Sequence, residues 1–165
     1  MAPIAFGGID PGLDGAVAVF VPEGRSLYVF DIPTVGSGKD RRVNPGGLRD
    51  WLDQHRADRI AIERVFAMPS RRLTNGARVP MPASFAFKYG ETCGVIRARV
   101  ACVGIPHEYV TPQVWKKTLR LNGDKERSRL RALELFPDHT FLFARKKDHG
   151  RAEAALIAFW QSKQS

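Results

Sequence analysis

Four acidic side chains in this basic chain have the type and spacing that suit divalent metal ions. Asp10 and Glu63 each end a short apolar run, whereas Asp148 and Glu153 stand at the start of the apolar stretch that reaches Trp160. Carboxylates gathered at strand ends repel one another unless cations lie between them, and a pair of Mg²⁺ or Mn²⁺ ions about 4 Å apart is the usual solution. A site of this kind cleaves phosphodiester bonds. Ordinary roles stay open on spacing alone, because Asp10 begins an Asp-Pro-Gly turn and Asp148 suits a helix N-cap.

The segment that must position Asp10 is 6–20, in which two apolar runs flank a turn of Gly, Pro and Asp. Pro11 restricts φ, and Gly12 and Gly15 tolerate positive φ, so the segment predicts a β-hairpin with Asp10 at the end of its first strand. The predicted strands are 4–10, 15–21 and 25–32, which form an antiparallel meander. A further buried strand, 59–63, ends in Glu63 in the same way.

Helices are predicted where apolar residues recur at helical spacing, and loops where Gly, Pro and charge dominate. The predicted helices are 48–55, 83–101, one that begins at Thr111-Pro112, 124–136, and a last one that begins at Asp148. A short strand is predicted at 107–110. The segments 35–47 and 64–82 are predicted to be loops, and the second is long, basic and without a sustained period.

Positive charge dominates the chain. Its 165 residues include 26 Lys and Arg against 17 Asp and Glu, for a net charge of +9. Such charge favours a polyanionic partner, with a merely basic protein as the alternative. Cys93 and Cys102 form no Cys-x-x-Cys pattern, which argues against a zinc site or a disulfide framework. Length and composition predict one domain over 1–165, soluble and cytoplasmic, because no apolar run reaches the roughly 18 residues of a membrane span.

Motifs along nearly the whole chain resemble those of the RuvC-type Holliday-junction resolvases. They are Gly8-Ile9-Asp10-Pro11-Gly12 before an Ala/Val strand, Ile62-Glu63 after a strand, Thr111-Pro112 with Trp115-Lys116-Lys117, Asp124-Lys125 with Ser128-Arg129, Leu135-Phe136-Pro137, and the tail from Lys146 to Ala154. The tail is most similar to the phage, bacterial and chloroplast branch that ends in Asp-His-Gly-Arg-Ala-Glu-Ala. A match in order and spacing over so many parts is far more specific than Asp-Pro-Gly alone.

The resemblance implies an α/β protein of the ribonuclease-H-like fold. Its five-stranded mixed sheet would combine the antiparallel meander with parallel strands, flanked by helices. The resemblance also implies a homodimer that places paired, symmetric nicks in opposed strands of a four-way DNA junction, encoded by a bacterium or phage and associated with the nucleoid. Asp10, Glu63, Asp148 and Glu153 would be the catalytic acids that bind two Mg²⁺ or Mn²⁺ ions, with no other small-molecule cofactor.

The tail departs from the family in one respect, which leaves a metal ligand open. Many members carry Asp-x-x-Asp in the last helix, whereas here Asp148 and Glu153 are five residues apart and His149 has i, i+4 spacing from Glu153. Asp148 and His149 are therefore both candidates. We favour Asp148, because a carboxylate is the harder oxygen donor that suits Mg²⁺.

DNA contacts are expected in two parts of the chain. The family places junction-probing and base-reading residues in the loop after Glu63, where mixed apolar and basic side chains suit insertion between bases. The candidates there are Phe66, Met68, Arg71 and Arg72. Phosphate contacts are expected from basic residues of the later segments, with a solvated helix surface as the alternative. These residues are Lys116, Lys117, Lys125, Arg129, Lys146 and Lys147.

Three other classes of protein share part of this pattern. An actin-like or sugar-kinase-like fold also has a phosphate loop after an Ile-Asp-x-Gly strand, but it needs two such domains, which 165 residues cannot hold. A non-catalytic module that binds branched DNA predicts the loss of one or more acids, and all four are present. The acids alone do not exclude a ribonuclease H that acts on RNA-DNA hybrids; the basic segment after Glu63 and the tail motif favour the resolvase.

Overall fold

Nine strands and five α-helices make up the described part of the chain. The computed structural model describes residues 3–66 and 70–164, with the backbone alone at Arg71 and Arg72. The strands are β1 (Phe6–Asp10), β2 (Ala16–Val21), β3 (Ser26–Asp31), β4 (Thr34–Val35), β5 (Arg42–Val43), β6 (Arg59–Glu63), β7 (Ser70–Arg72), β8 (Arg78–Pro80) and β9 (His107–Val110). The α-helices are α1 (Pro45–Gln54), α2 (Ala83–Cys102), α3 (Pro112–Thr118), α4 (Lys125–Leu135) and α5 (His149–Gln161).

The main sheet has five strands in the order β3-β2-β1-β6-β9. Strands β1, β2 and β3 form the antiparallel meander, and β6 and β9 extend the sheet in parallel with β1. The predicted fold class, a five-stranded mixed sheet flanked by helices, is confirmed. The register pairs Ile9 of β1 with Ile62 of β6, so both strands end at the same edge of the sheet.

Each face of the sheet has its own apolar core, because side chains alternate between the faces along a strand. Val17, Val19 and Ile60 face α1 and α2. The opposite face carries small residues such as Ala18 and packs against α3, α4 and α5. On this face the backbones of β1 and α5 meet at Gly8, where a Cβ would overlap the carbonyl oxygen of Ala154 and the backbone of Ala158. Glycine at this position therefore lets α5 lie directly on β1.

Two segments predicted to be loops contain short β-ribbons. Within 35–47, β4 and β5 pair in antiparallel fashion, and α1 already begins there, capped by Asn44 Oδ1, which accepts a hydrogen bond from the Gly47 amide at 3.1 Å. Within 64–82, β7 and β8 form an antiparallel hairpin. The loop prediction is wrong for these residues, because strands of two or three residues are too short to carry a readable alternation.

The predicted helices are present, but neither Thr111 nor Asp148 caps the helix that follows it with its side chain, although they stand at the N-cap positions of α3 and α5. Asp124 does cap α4, since its carboxylate accepts from the Glu126 amide at 2.9 Å. No helix in residues 3–66 and 70–164 is long and apolar enough to cross a membrane.

Candidate active site

Asp10 and Glu63 lie on adjacent strands at one edge of the sheet, because each directly follows a member of the Ile9–Ile62 pair. Glu63 is only 8% exposed, and its Oε2 accepts a hydrogen bond from Trp115 Nε1 of α3 at 2.8 Å. Asp10 is half-buried at the start of a tight turn. The two carboxylates therefore belong to one site, held by the backbone of the main sheet.

Helix α5 brings Glu153 to the same edge. The Glu153 side chain is buried, and its Oε1 accepts hydrogen bonds from Lys116 Nζ at 2.7 Å and from Ser128 Oγ at 3.2 Å. These contacts join α5 to α3 and α4. The first turn of α5 abuts the first acid as well, since a Cβ at Gly150 would lie 3.5 Å from Asp10 Oδ2.

Asp10 and Glu63 are costly to ionise in this cluster. Burial, and then the charges of Glu153 and Glu63, raise the pKa of Asp10 to about 8. Burial also raises the pKa of Glu63, outweighing the hydrogen bond from Trp115 that lowers it. A positive charge placed among these groups would favour their ionised forms.

Asp148 and His149, the alternative ligand candidates, point to different surroundings. The carboxylate of Asp148 is held by Arg145, whose backbone amide donates to Oδ2 at 2.9 Å and whose Nη2 donates to Oδ1 at 2.8 Å. Burial acts to raise the pKa of Asp148, but the hydrogen bonds and charge of Arg145 outweigh it, so the pKa is lowered. His149 instead borders the cavity that contains Asp10. Of the two candidates, His149 is the one that shares a cavity with an acid of the cluster.

The chemistry of the three acids suits a hard divalent cation, while their present arrangement does not surround one. Among the described residues, no group of three His, Cys, Asp or Glu side chains is arranged to hold a metal ion. The ammonium of Lys116, bound to Glu153, supplies positive charge in its place. Because Mg²⁺ and Mn²⁺ prefer carboxylate oxygens, Asp10, Glu63 and Glu153 have the donor chemistry that suits such an ion.

Two cavities border the acids and share the side chains of Phe85 and Tyr89. The smaller, of about 420 Å³, is lined by Asp10 and the turn that follows it, together with Lys88, Lys125 and His149. The larger, of about 570 Å³, extends from Glu63 past Phe66 to α2 and α3. The amino-terminal half of α2 is therefore a wall of the site.

The candidate phosphate-binding residues have three different environments. Lys116 and Lys125 are close enough to Asp10 and Glu63 for their charges to lower the pKa of both acids. Lys117, Lys146 and Lys147 are exposed. Arg129 is engaged within the chain, where it donates to Glu126 Oε1 at 2.6 Å and to the Phe143 carbonyl at 2.7 Å. Its contacts tie α4 to the turn that follows it.

Only part of the candidate base-contacting segment after Glu63 is described. Phe66 is 55% exposed and borders the larger cavity, with the Arg64 guanidinium 5.3 Å from the centroid of its ring. Met68 and the side chains of Arg71 and Arg72 lie outside the described residues. A role of these residues in opening the junction stays a prediction.

Helix α2, predicted only as a helix over 83–101, has a polar face at the site that the sequence did not predict. Lys88 and Thr92, one turn apart, border the cavity of Asp10. Tyr89 donates to the Pro11 carbonyl at 3.4 Å and so braces the turn after the first acid. The available signal was this polar pair at i, i+4 in a helix expected to bury that face.

Asp10→Asn is expected to stabilise the metal-free protein near pH 8. The folded chain keeps the Asp10 carboxyl protonated up to about pH 8, whereas the ordinary pKa of this group is 3.8. Between these values the unfolded state binds fewer protons than the folded state, so stability falls as the pH rises. Asparagine does not titrate, so the variant avoids this loss of stability. Its free energy of unfolding at pH 8 should exceed that of the wild type by roughly 3 kcal/mol.

Urea unfolding in EDTA at about pH 5 and about pH 8 measures this effect. Asp14→Asn is the matched control, because Asp14 is an exposed acid of the same turn. The pKa of Glu63 is also raised, so Glu63 adds a pH dependence of stability with the same sign to the wild type and to both variants. Asp148, with its lowered pKa, titrates below this range. Equal pH slopes for the wild type and Asp10→Asn would contradict the prediction.

The sequence is similar to curated nucleases. No protein-family model matches the chain. It is 25% identical over 134 residues to the crossover junction endodeoxyribonuclease RuvC of Mycobacterium ulcerans, which covers 76% of this chain and 66% of that protein. It is 28% identical over 131 residues to the RuvC of Corynebacterium glutamicum, covering 74% of this chain and 54% of that protein. The chain thus spans between about half and two thirds of the length of these relatives.

Solved structures with the same fold include two of Thermus thermophilus RuvC. The one in complex with a Holliday junction substrate superposes with a TM-score of 0.61 at 15% identity, over 98% of this chain and 97% of that one. The other, titled as the RuvC structure, has a TM-score of 0.53 at 17% identity. The predicted resemblance to RuvC-type nucleases of the ribonuclease-H-like fold is confirmed, and the assignment to the branch defined by the tail motif stays a prediction.

Proposed function

We propose that this chain, a relative of the RuvC nucleases with their fold, is a structure-selective endonuclease that resolves four-way DNA junctions by metal-dependent hydrolysis of phosphodiester bonds. The observation that carries the proposal is the cluster of Asp10, Glu63 and Glu153 at one edge of the sheet. The cluster lies beside Lys116 and Lys125 in a chain of net charge +9. Relatives named as crossover junction endodeoxyribonucleases, and a neighbour bound to a Holliday junction, support this choice of substrate.

In this proposal Asp10, Glu63 and Glu153 hold two Mg²⁺ or Mn²⁺ ions, and His149 or Asp148 completes the site. Such ions, when bound, help to generate hydroxide from water and stabilise the leaving 3′ oxygen. Trp115 keeps Glu63 oriented through its 2.8 Å hydrogen bond. Lys116 leaves Glu153 and turns its charge toward the scissile phosphate, beside Lys125, where a cation stabilises the negative charge of the transition state.

The proposal includes a single nuclease domain over 1–165 that works as a homodimer. Paired nicks in opposed strands need two active sites at once, and the acids Asp10, Glu63 and Glu153 form one cluster within residues 3–66 and 70–164 of one chain. A non-catalytic DNA-binding module has no use for buried carboxylates that repel one another, because their burial costs stability without a cation. The cluster therefore favours the enzyme over the binding module.

A comparison of three substrates tests the function. The protein is incubated with Mg²⁺ or Mn²⁺ and a labelled four-way junction, a linear duplex of the same sequence, or an RNA-DNA hybrid. We expect paired, symmetric nicks in the junction alone, and none when EDTA replaces the metal. Equal cutting of the hybrid would instead identify a ribonuclease H, and junction binding without any cutting would identify the non-catalytic module.

A further inference from the structure

We propose that the larger cavity beside Glu63 binds one unstacked nucleobase of the DNA and that Arg97 and Gln113 read it. The inference rests on the proposed function, because a DNA substrate is what brings a base to this place. It assigns a base preference at the cleavage site to residues of α2 and α3.

The shape and lining of the cavity suit a flat, apolar-faced ligand. Its volume of about 570 Å³ lies within the range of roughly 300–1,000 Å³ that is typical of small-ligand sites. Phe85 and Tyr89 form one wall, with ring centroids 6.1 Å apart and planes 18° from parallel. Phe85 is 53% exposed, although an aromatic ring gains by being covered. Stacking of a base on such a ring contributes about 1–3 kcal/mol.

Arg97 supplies polar recognition in the lining of the cavity. Its guanidinium lies 5.1 Å from the centroid of the Tyr109 ring, which fixes its position. Within residues 3–66 and 70–164, its Nε is buried without a hydrogen-bond partner, and Arg97 forms no ion pair with an acid. Because Nε is closed to solvent, the Nη groups of Arg97 are the donors that would meet acceptors on a ligand in this cavity.

The donors of Arg97 match one base edge in particular. The arginine fork pairs with O6 and N7 of guanine, which is the commonest specific arginine contact to a base. Gln113, in the first turn of α3, borders the same cavity and adds an amide that both donates and accepts. Guanine is therefore the base that this cavity should prefer.

The position of Glu63 places this base next to the cleaved bond. Glu63 borders the cavity and also belongs to the acid cluster, so the base in the cavity belongs to a nucleotide adjacent to the scissile phosphate. A phosphate is the poorer occupant, because apolar side chains dominate the walls: Val65, Phe66, Met81, Phe85, Tyr89 and Pro112. The phosphates belong instead with Lys88 and Lys125 in the smaller cavity.

Cleavage of a library of junctions measures whether the protein prefers a particular base beside the nick. Nucleotides around the branch point are randomised, and the ends of the nicked strands are sequenced. We expect the wild type to favour guanine at one position beside the nick. Arg97→Lys, which keeps the charge but loses the fork, should reduce that preference about tenfold. Arg99→Lys, on another face of α2, is the matched control and should keep the preference.

Binding without metal tests the same cavity independently of cleavage. An abasic site is placed at each position around the branch in turn, and affinities are measured in EDTA. At one position the abasic site should weaken wild-type binding about tenfold, while Phe85→Ala should bind intact and abasic junctions alike. The inference is overturned if no position responds, or if Arg97→Lys retains the base preference. A wild type that cuts junctions without any base preference also overturns it and leaves the proposed function standing. A wild-type protein that cuts no junction refutes the proposed function. In that case the effect of abasic sites on binding tests the cavity by itself.

Discussion

Asp10→Asn is expected to slow junction cleavage by about a thousandfold or more, which corresponds to roughly 4 kcal/mol of lost transition-state stabilisation. Asp10 lies beside both other acids, since the charges of Glu153 and Glu63 act on its pKa. Asparagine keeps the size of the side chain but removes the negative charge that holds a cation. Single-turnover cleavage of a labelled junction measures the loss. Junction affinity in EDTA should stay within about twofold, because the candidate phosphate-binding lysines are untouched.

Asp14→Asn is the control, because it removes an equal charge from the same turn at an exposed position. It should cleave at nearly the wild-type rate. Metal binding provides a second readout, since Mg²⁺ should raise the melting temperature of the wild type and of Asp14→Asn but not that of Asp10→Asn. If Asp10→Asn still cleaved junctions at a tenth of the wild-type rate, Asp10 would not be a catalytic residue.

The meeting of Asp10 and Glu63 at one edge of the sheet could not be predicted from spacing, because the parallel pairing of their strands was implied only by the resemblance to the RuvC-type resolvases. The sequence itself predicted that each of these acids ends a short apolar strand and that the last helix begins at Asp148. These predictions depend on patterns within a few residues, which a single sequence displays directly.

Side-chain partners far apart in the chain could not be predicted in this way. Trp115 bonds to Glu63 across 52 residues, and Lys116 bonds to Glu153 across 37. Such pairs depend on how α3 packs on the sheet, and periodicity indicates which face of a helix is buried but not which group it meets. For the same reason α2 was expected only to pack, while its first half lines both cavities.

The sequence also did not show which of Asp148 and His149 points toward the acid cluster. The preference for Asp148 relied on the affinity of Mg²⁺ for oxygen ligands, which is independent of where the side chain points. In the structure Arg145, three residues earlier, binds that carboxylate through its backbone amide and its guanidinium. Pairs of opposite charges three residues apart are common in any sequence, so nothing in the spacing shows that this carboxylate is buried against the exposed Arg145.

Lys116 explains how an acid cluster can fold before a metal ion binds. Unpaired buried carboxylates would oppose folding, and the ammonium 2.7 Å from Glu153 offsets part of that cost. The proposed function gives the same lysine a second role, because its ammonium would turn toward a phosphate when a divalent ion replaces it at Glu153. Within the proposed mechanism, one residue therefore stabilises the metal-free chain and assists the metal-bound one.

Gly8→Ala is expected to destabilise the protein by about 3 kcal/mol or more and to reduce cleavage with it. A Cβ at position 8 would overlap the backbone of α5 at Ala154 and Ala158, and backbone atoms cannot rotate away as a side chain does. Relief requires α5 to move off β1, and because Glu153 precedes Ala154 directly, this movement displaces the third acid. Denaturant unfolding and junction cleavage, measured on the same preparations, test both effects.

Gly94→Ala is the matched control for this substitution. A Cβ at Gly94 meets no atom within 4 Å, and alanine is the better helix former, so this variant should be as stable as the wild type or more stable by about 0.5–1 kcal/mol. Loss of stability in Gly8→Ala alone would locate the constraint at the contact between β1 and α5. If Gly8→Ala were as stable as Gly94→Ala, then α5 would not lie on β1 as closely as the placement of Glu153 requires.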